Sequence, residues 1–287
     1  MESEHFLVPY NKKIDLRSYD PGYTGDFKHK KEAKKKLQDD IKKLIQLQDV
    51  LYASNTYGLL IIIQALDAAG KDSVIKHVMS GVNPQGCQVL SFKAPSTEEL
   101  NHDYLWRCLK STPEKGKIGI FNRSYYEEVL ITRVHPDLLD KEKLPPYKDL
   151  QSLITERFEE INHFEKYLIK NGIILLKFFL NVSKKEQKDR FLKRINLPEK
   201  NWKFSLTDVK ERAHWEDYIN AFEDVFNNTS TKNAPWHIIP ADNKWFTHTV
   251  IADIIVKKLK ELNLKYPEVS EEHRKEIMKV KEILEGE

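Results

Sequence analysis

Between the apolar run Leu59-Leu60-Ile61-Ile62-Ile63 and a helical pattern opening at Val74 lies Gln64-Ala65-Leu66-Asp67-Ala68-Ala69-Gly70-Lys71-Asp72-Ser73. The small residues Ala68, Ala69 and Gly70 let backbone N–H groups turn inward, and the N-terminus of the following helix adds partial positive charge. Lys71 is placed to reach the oxygens of a terminal phosphate as a compact point charge. Strand, small-residue loop, Gly-Lys and helix together are the context of a phosphate loop. The match to G-x-x-x-x-G-K-[ST] is imperfect: Ala65 holds the first glycine position, Asp72 replaces the hydroxyl residue, and Ser73 comes one place late. On this stretch alone, a Gly-Lys that simply opens a helix remains an alternative. Asp67 directly follows a buried strand, where a carboxylate suits Mg²⁺, a cation of hard oxygen ligands shared between protein and phosphate. The competing reading is an acid near a helix N-terminus.

A second group follows another apolar run, in Ile118-Gly119-Ile120-Phe121-Asn122-Arg123-Ser124-Tyr125-Tyr126-Glu127-Glu128. Phosphate-loop enzymes often end such a strand in a metal-binding acid. Asn122 stands there instead, able to order a metal-bound water or a neighbour. Arg123 comes next, at the strand's carboxyl end, where open α/β sheets bind ligands. Its guanidinium is suited to bridging phosphoryl oxygens, with a surface salt bridge as the alternative. Glu127, four residues on, shares a helix face with Arg123, so a structural ion pair competes with a catalytic role. Arg133 is a weaker candidate for the acceptor phosphate.

The third group is basic. Residues 177–212 carry eleven Lys or Arg against five acids, and 181–211 reads as a helix, a break at Leu197-Pro198, and a second helical stretch. Arg190 and Arg194 are four apart and project from one face. Lys184, Lys185 and Lys193 add charge, and Trp202 and Phe204 lie nearby. Basic and aromatic residues together also suit single-stranded nucleic acid. Position favours a lid: an insert after the fourth strand closes over transferring phosphates and excludes water. Lys76, just inside the loop's helix, and Lys93, beyond the second strand, are ordinary surface lysines singly. Together with the loop they could line a polyanion channel, whose binding would depend steeply on salt.

These groups need a scaffold. Apolar runs at 59–63, 89–92, 118–121, 173–180 and 236–239 read as strands buried on both faces. Between and around them, apolar residues at helical spacing mark helices over 32–53, 149–170 and 247–262. Gly172 stands where the second of these needs its C-cap. Alternation of strand and helix predicts an α/β fold with a doubly wound parallel sheet.

Composition narrows the classes. The 287 residues include 47 Lys and Arg against 44 Asp and Glu, which excludes a generally polybasic protein. Affinity for a polyanion must therefore come from local clusters. Residues 28–43 form another, with eight Lys against three acids, while Glu268 to Glu287 is net acidic. Cys87 and Cys108 cannot build a disulfide framework or a Cys-rich zinc site. The ten histidines show no metal-binding spacing. The opening MESEHFLVPY has no signal-peptide pattern, and no apolar run approaches a membrane span, so the expectation is a cytoplasmic protein without a membrane partner.

Five segments, in order, resemble the polyphosphate kinase 2 family: 65–72, Gly81-Val82-Asn83-Pro84-Gln85-Gly86, 121–127, 176–187, and Trp202-Lys203-Phe204. The likeness runs from about residue 30 to about residue 265, and Asn122 and Glu127 make it most similar to the class III branch. It implies a single P-loop kinase-like domain over 1–287, with an N-terminal helical segment 1–57, a lid at 181–211 and a C-terminal helical tail 263–287. It also implies phosphoryl transfer from inorganic polyphosphate to nucleoside mono- and diphosphates, AMP to ADP and ADP to ATP, with guanine nucleotides as further acceptors. Asp67, Lys71, Arg123, Arg190 and Arg194 are then the catalytic candidates. Ala68, Ala69, Gly70, Asp72, Ser73, Lys76, Lys93, Asn122, Glu127 and Arg133 are the substrate-binding ones. Asp67 is the metal ligand, for Mg²⁺ or alternatively Mn²⁺. Expected partners are the two substrates and further copies of the chain, as a dimer or tetramer, and no nucleic acid. An ATP-dependent nucleoside monophosphate kinase and a non-enzymatic polyanion-binding module are the competing functions.

Overall fold

Five parallel strands form one sheet in the order β2-β3-β1-β4-β5. The structure is a computed structural model that describes residues 3–27 and 29–287. In chain order, helix α1 (Lys30–Ser54) leads to β1 (Gly58–Gln64), then α2 (Lys71–Val78) and β2 (Cys87–Ser91). Two short helices follow, α3 (Thr97–Leu100) and α4 (Trp106–Leu109), before β3 (Ile118–Asn122), α5 (Glu127–Val134), α6 (Leu150–Lys170) and β4 (Ile173–Asn181). The remainder is α7 (Lys184–Asn196), α8 (Leu206–Glu211), α9 (Trp215–Thr229), β5 (Trp236–Pro240), α10 (Lys244–Glu261) and α11 (Glu271–Glu285).

Every residue of β1 is buried, as a central parallel strand covered on both faces requires. Leu59 pairs with Ile118 of β3 on one side and Ile174 of β4 on the other, so the three strands end side by side. That alignment brings the loop after β1 and the turn after β3 to one edge of the sheet. Helices α1, α2 and α10 pack together on one face, and α5, α6 and α9 on the other. Gly172, with φ of 89°, follows the Asn171 C-cap of α6 and turns the chain into β4. The outer edge of β5 is covered by the N-terminal arm, where the Val8 amide donates to the Trp236 carbonyl at 2.8 Å.

Two elements depart from the simple amphipathic pattern. Helix α10 is buried around most of its circumference, including Thr247, His248 and Asp253, because α1 covers the side away from the sheet. Lys36 of α1 reaches across to Asp253 and also pairs with Asp40. The lysine that interrupts β4 is the other departure. Lys177 is fully buried and donates to Glu165 (2.6 Å), the Thr229 carbonyl (2.8 Å) and the Tyr126 hydroxyl (3.0 Å). Glu165 in turn accepts from the hydroxyls of Tyr125 (2.9 Å) and Tyr126 (2.7 Å). This network ties α6 and β4 to the turn that carries Arg123. No helix among the described residues is long and apolar enough to cross a membrane.

Breaking a buried pair strands its partner charge without solvent. Lys177→Met should therefore destabilise the protein by about 3–5 kcal/mol in equilibrium denaturation. A loss below about 1 kcal/mol would mean that Glu165 finds another partner or a proton at little cost.

Candidate functional site

The loop after β1 is shaped by two residues with positive φ. Ala68 has φ of 59°, and Gly70, the N-cap of α2, has φ of 116°, a conformation that favours glycine. Its carbonyls are drawn to one side. Gln187 Nε2 donates to the Asp67 carbonyl at 2.9 Å, and Arg190 Nη1 donates to those of Ala68 (3.0 Å) and Ala69. The amides of Ala68, Gly70 and Lys71 find no acceptor among the described residues. A loop with its carbonyls tied and its amides unpaired at a helix N-terminus is built for an anion.

Lys71 folds back over this loop, its Nζ donating to the Ala65 carbonyl at 3.0 Å. Burial, reinforced by the Arg123 guanidinium, lowers its pKa from 10.5 to about 8. Arg123 has φ of 65°, a left-handed conformation that costs a non-glycine residue about 1–2 kcal/mol. Its own amide donates to the Ile63 carbonyl at 3.1 Å, which anchors the turn to β1. The turn sends the guanidinium back over the loop, where Nη2 meets Asp67 Oδ1 at 2.7 Å and Nη1 lies 3.6 Å from Glu127 Oε2. Glu127 above all, then Asp67, raise the Arg123 pKa against the effect of burial. Asn122 Nδ2 donates to Asp72 Oδ1 at 3.0 Å, joining the end of β3 to the start of α2.

Two cavities meet at the Asp67–Arg123 pair, the two residues common to their walls. The larger, about 650 Å³, is cationic: nine of its eighteen lining residues are Lys or Arg, and two are acids. Lys71, Lys93, Arg123 and Lys244 line it from the sheet side, and Arg190, Lys193, Arg194, Lys200 and Lys203 from the 181–211 segment. The smaller, about 180 Å³, carries four acids, Asp67, Glu127, Asp208 and Glu211, against Arg123 and Arg212. Trp215, Tyr218 and Phe222 add an aromatic wall. Burial, and Asp67 after it, raise the Asp208 pKa.

The 181–211 segment folds as α7, a 3-10 stretch over Pro198–Lys203, and α8. It bridges both cavities. Lys203 Nζ lies 3.5 Å from Asp72 Oδ2, a contact from the segment to the loop helix. Arg194 donates to Asp208 (2.9 Å) and holds the two halves of the segment together. Arg190 is only 6% exposed, and its guanidinium also donates to Glu186 (2.9 Å) and the Ala241 carbonyl (2.6 Å). Its donors are thus committed to the loop and to the start of α10. It positions the loop as well as lining the cavity.

Of the residues singled out in the sequence, Asp67, Ala68, Gly70, Lys71, Asp72, Ser73, Lys93, Asn122, Arg123, Arg190 and Arg194 all line the cationic cavity. Ala69 is buried behind it, and Glu127 faces the acidic one. Two stand apart. Arg133 pairs with Asp224 of α9 and lines neither cavity, and Lys76 is exposed on α2 outside both. Lys200 and Lys203 join the cavity without a local signal as ligands, because only the fold of the 3-10 stretch over Pro198–Lys203 brings them to the loop. Lys244 also lines the cavity, from the start of α10 just beyond the last strand. Burial, then Arg190, lowers the Lys244 pKa.

Comparison with known proteins gives a consistent result. The family model described as Polyphosphate kinase 2 (PPK2) matches residues 27–267. An ADP-polyphosphate phosphotransferase of Rhodopseudomonas palustris is 45% identical over 285 residues, covering 99% of each chain. An AMP/ADP-polyphosphate phosphotransferase of Meiothermus ruber is 39% identical over 264 residues, covering 92% of this chain and 95% of its own. The crystal structure of Polyphosphate Kinase 2 from Arthrobacter aurescens TC1 superposes with a TM-score of 0.87 at 36% identity, covering 96% of both chains.

Burying the Lys71 ammonium in the ligand-free site opposes folding, and the Arg123 guanidinium beside it adds to the cost. The folded protein releases the Lys71 proton near pH 8 and the unfolded chain near 10.5, so between these values the unfolded state holds more protons. Stability from this group therefore rises with pH across that window. Lys71→Met should raise the thermal midpoint of the ligand-free protein at pH 7, and its advantage over the parent should shrink by pH 10. An unchanged or lower midpoint at pH 7 would show that the lysine's hydrogen bonds to the loop outweigh its desolvation.

Proposed function

Because the chain belongs to the polyphosphate kinase 2 family, we propose that it transfers phosphoryl groups from inorganic polyphosphate to AMP and to ADP. The observation that carries this reading is the contrast between the two cavities that share Asp67 and Arg123. A chain of linked phosphates, each with about one negative charge, suits the cationic chamber, by analogy with the phosphates of nucleic acids. The acidic chamber, with its aromatic wall, suits a nucleoside whose phosphate points toward Arg123. At about 180 Å³ it is smaller than ordinary ligand pockets, so α8 must swing out to admit the acceptor.

In this arrangement a terminal oxygen of the nucleotide attacks the last phosphorus of polyphosphate. The bond from that phosphorus to the bridging oxygen breaks, and the chain leaves one unit shorter. Phosphoryl transfer needs positioning and charge stabilisation more than covalent help. The loop amides and Lys71 hold the terminal phosphate, and Arg123, at the junction, stabilises the group in flight. Arg194, Lys200 and Lys203 bring the chain down as the segment closes and keep water out. Arg190 keeps the loop carbonyls turned away from the phosphates.

Mg²⁺, or Mn²⁺ in its place, fits this donor set. Among the described residues no group of three His, Cys, Asp or Glu could hold a metal unaided. Mg²⁺ is ordinarily held by one or two carboxylates together with substrate phosphates. Asp67 supplies such a carboxylate, since only its Oδ1 is engaged by Arg123. Glu127 lies on the other side of Arg123. When bound, the ion neutralises phosphate oxygens that the protein's cations do not reach.

The direct test is an assay with polyphosphate, AMP and Mg²⁺ and no added triphosphate. ADP and then ATP should appear, and Lys71→Ala should abolish both while circular dichroism shows the fold intact. A Lys200→Glu/Lys203→Glu variant should raise the KM for polyphosphate by tenfold or more and leave that for AMP within about twofold, since charge reversal acts on one chamber. Product formed only when ATP is supplied would overturn the reading, as would equal shifts in both KM values.

A further inference from the structure

Gln64, the last residue of β1, is fully buried, and its amide fits its surroundings in one orientation. Nε2 donates to Glu127 Oε1 at 2.9 Å, and the amide oxygen accepts from the Ser124 amide and hydroxyl at 3.2 Å each. Which amide atom is which follows from these partners, because only this orientation satisfies both. Glu127 belongs to α5, on the far side of the β3 turn, and its side chain is 17% exposed. One of its oxygens is thus fixed by a residue of the central strand. The other, Oε2, faces Arg123 Nη1 at 3.6 Å.

We propose that Gln64 is a positioning residue for the acceptor site: it orients the Glu127 carboxylate so that Oε2 faces the shared boundary of the two cavities. The proposal rests on the assignment of the acidic cavity to the nucleotide. A carboxylate side chain has rotatable bonds, and without a fixed partner for Oε1 Glu127 would close its 3.6 Å i, i+4 pair with Arg123 into direct contact through both oxygens. The Arg123 guanidinium would then be held away from an incoming phosphate. The Gln64 amide prevents this by taking Oε1, and its own carbonyl is held by Ser124, next to Arg123 in the turn. Gln64, Ser124 and Glu127 therefore form a relay from the rigid centre of the sheet to the site. A neutral amide is the group that can do so. A carboxylate at residue 64 would repel Glu127, and an apolar side chain there would leave Oε1 without its donor.

Calorimetric titration of the full chain with ADP and Mg²⁺ tests this apart from catalysis. Gln64→Met, close in volume, should weaken ADP binding about five- to tenfold, and so should Glu127→Gln. The double variant should lose little more than the worse single one, since two residues acting as a unit are not additive. Polyphosphate affinity should stay within about twofold in Gln64→Met. Additive losses, or equal weakening of both ligands, would overturn the proposal. If Gln64→Met does not fold, the exchange Gln64→Glu/Glu127→Gln keeps the hydrogen bond with donor and acceptor reversed. Its thermal midpoint should recover most of what Gln64→Glu alone loses, and an exchange no more stable than that single variant would equally overturn it. The polyphosphate-and-AMP assay on the parent protein judges the functional assignment separately. An active parent whose Gln64→Met variant binds ADP normally refutes this relay alone.

Discussion

The ion pair between Asp67 and Arg123 is the contact on which the rest of the site turns. It joins the loop after the central strand to the turn after its neighbour, at 2.7 Å, and it is the shared wall of the two cavities. Its geometry is held in place by strain and by anchoring. Ala68 and Arg123 both adopt left-handed conformations that non-glycine residues avoid, and each persists because its surroundings fix it. Behind Ala68, Arg190 and Gln187 hold the loop carbonyls. Behind Arg123, the turn is pinned by the Ile63 carbonyl and by the Tyr125–Tyr126–Glu165–Lys177 network inside the core.

The charge distribution explains why such anchoring is needed. Nine cations line one cavity, and at its floor burial, and after it the Arg123 guanidinium, lower the Lys71 pKa. The protein keeps them together by satisfying several from behind. Arg190 is committed to carbonyls, Arg194 to Asp208, and Lys203 lies near Asp72. A bound chain of phosphates relieves the remaining repulsion. The 181–211 segment contributes five of the nine cations, so on the proposed reading its closure over a chain of phosphates would be coupled to binding.

Much of this was legible in the sequence. The five apolar runs mark the five strands to within a residue or two, and four are largely buried on both faces as such runs require. The run at 89–92 is the exception: β2 lies at the sheet edge with no buried residue and Val89 exposed, because no strand pairs with its outer side. The loop was legible despite its departures, since strand, small residues, Gly-Lys and helix occur in order. Arg123 was legible from its place at a strand's end. What escaped depends on contacts between segments far apart in the chain. Arg190 reads as a lid cation, yet its acceptors lie some fifty and some hundred and twenty residues away. Arg133 reads as a ligand candidate until α9 supplies Asp224. Lys177 reads as an interruption in a strand, and only the fold shows its carboxylate. Gln64 reads as the polar end of an apolar run, with nothing in the local pattern to tie it to Glu127. Helix α11 matches its acidic tail, but its apolar side chains stay exposed, which composition alone could not decide.

The division of labour between the two cavities can be seen directly. A crystal structure of the protein with ADP and a short polyphosphate would place both ligands relative to Arg123. Polyphosphate against Lys71, Lys200 and Lys203, ADP against Glu127 and Tyr218, and their facing phosphates on either side of the Arg123 guanidinium is the expected result. Polyphosphate lodged beside Glu127 and Glu211, or both ligands sharing the cationic chamber with the acidic one empty, would contradict it.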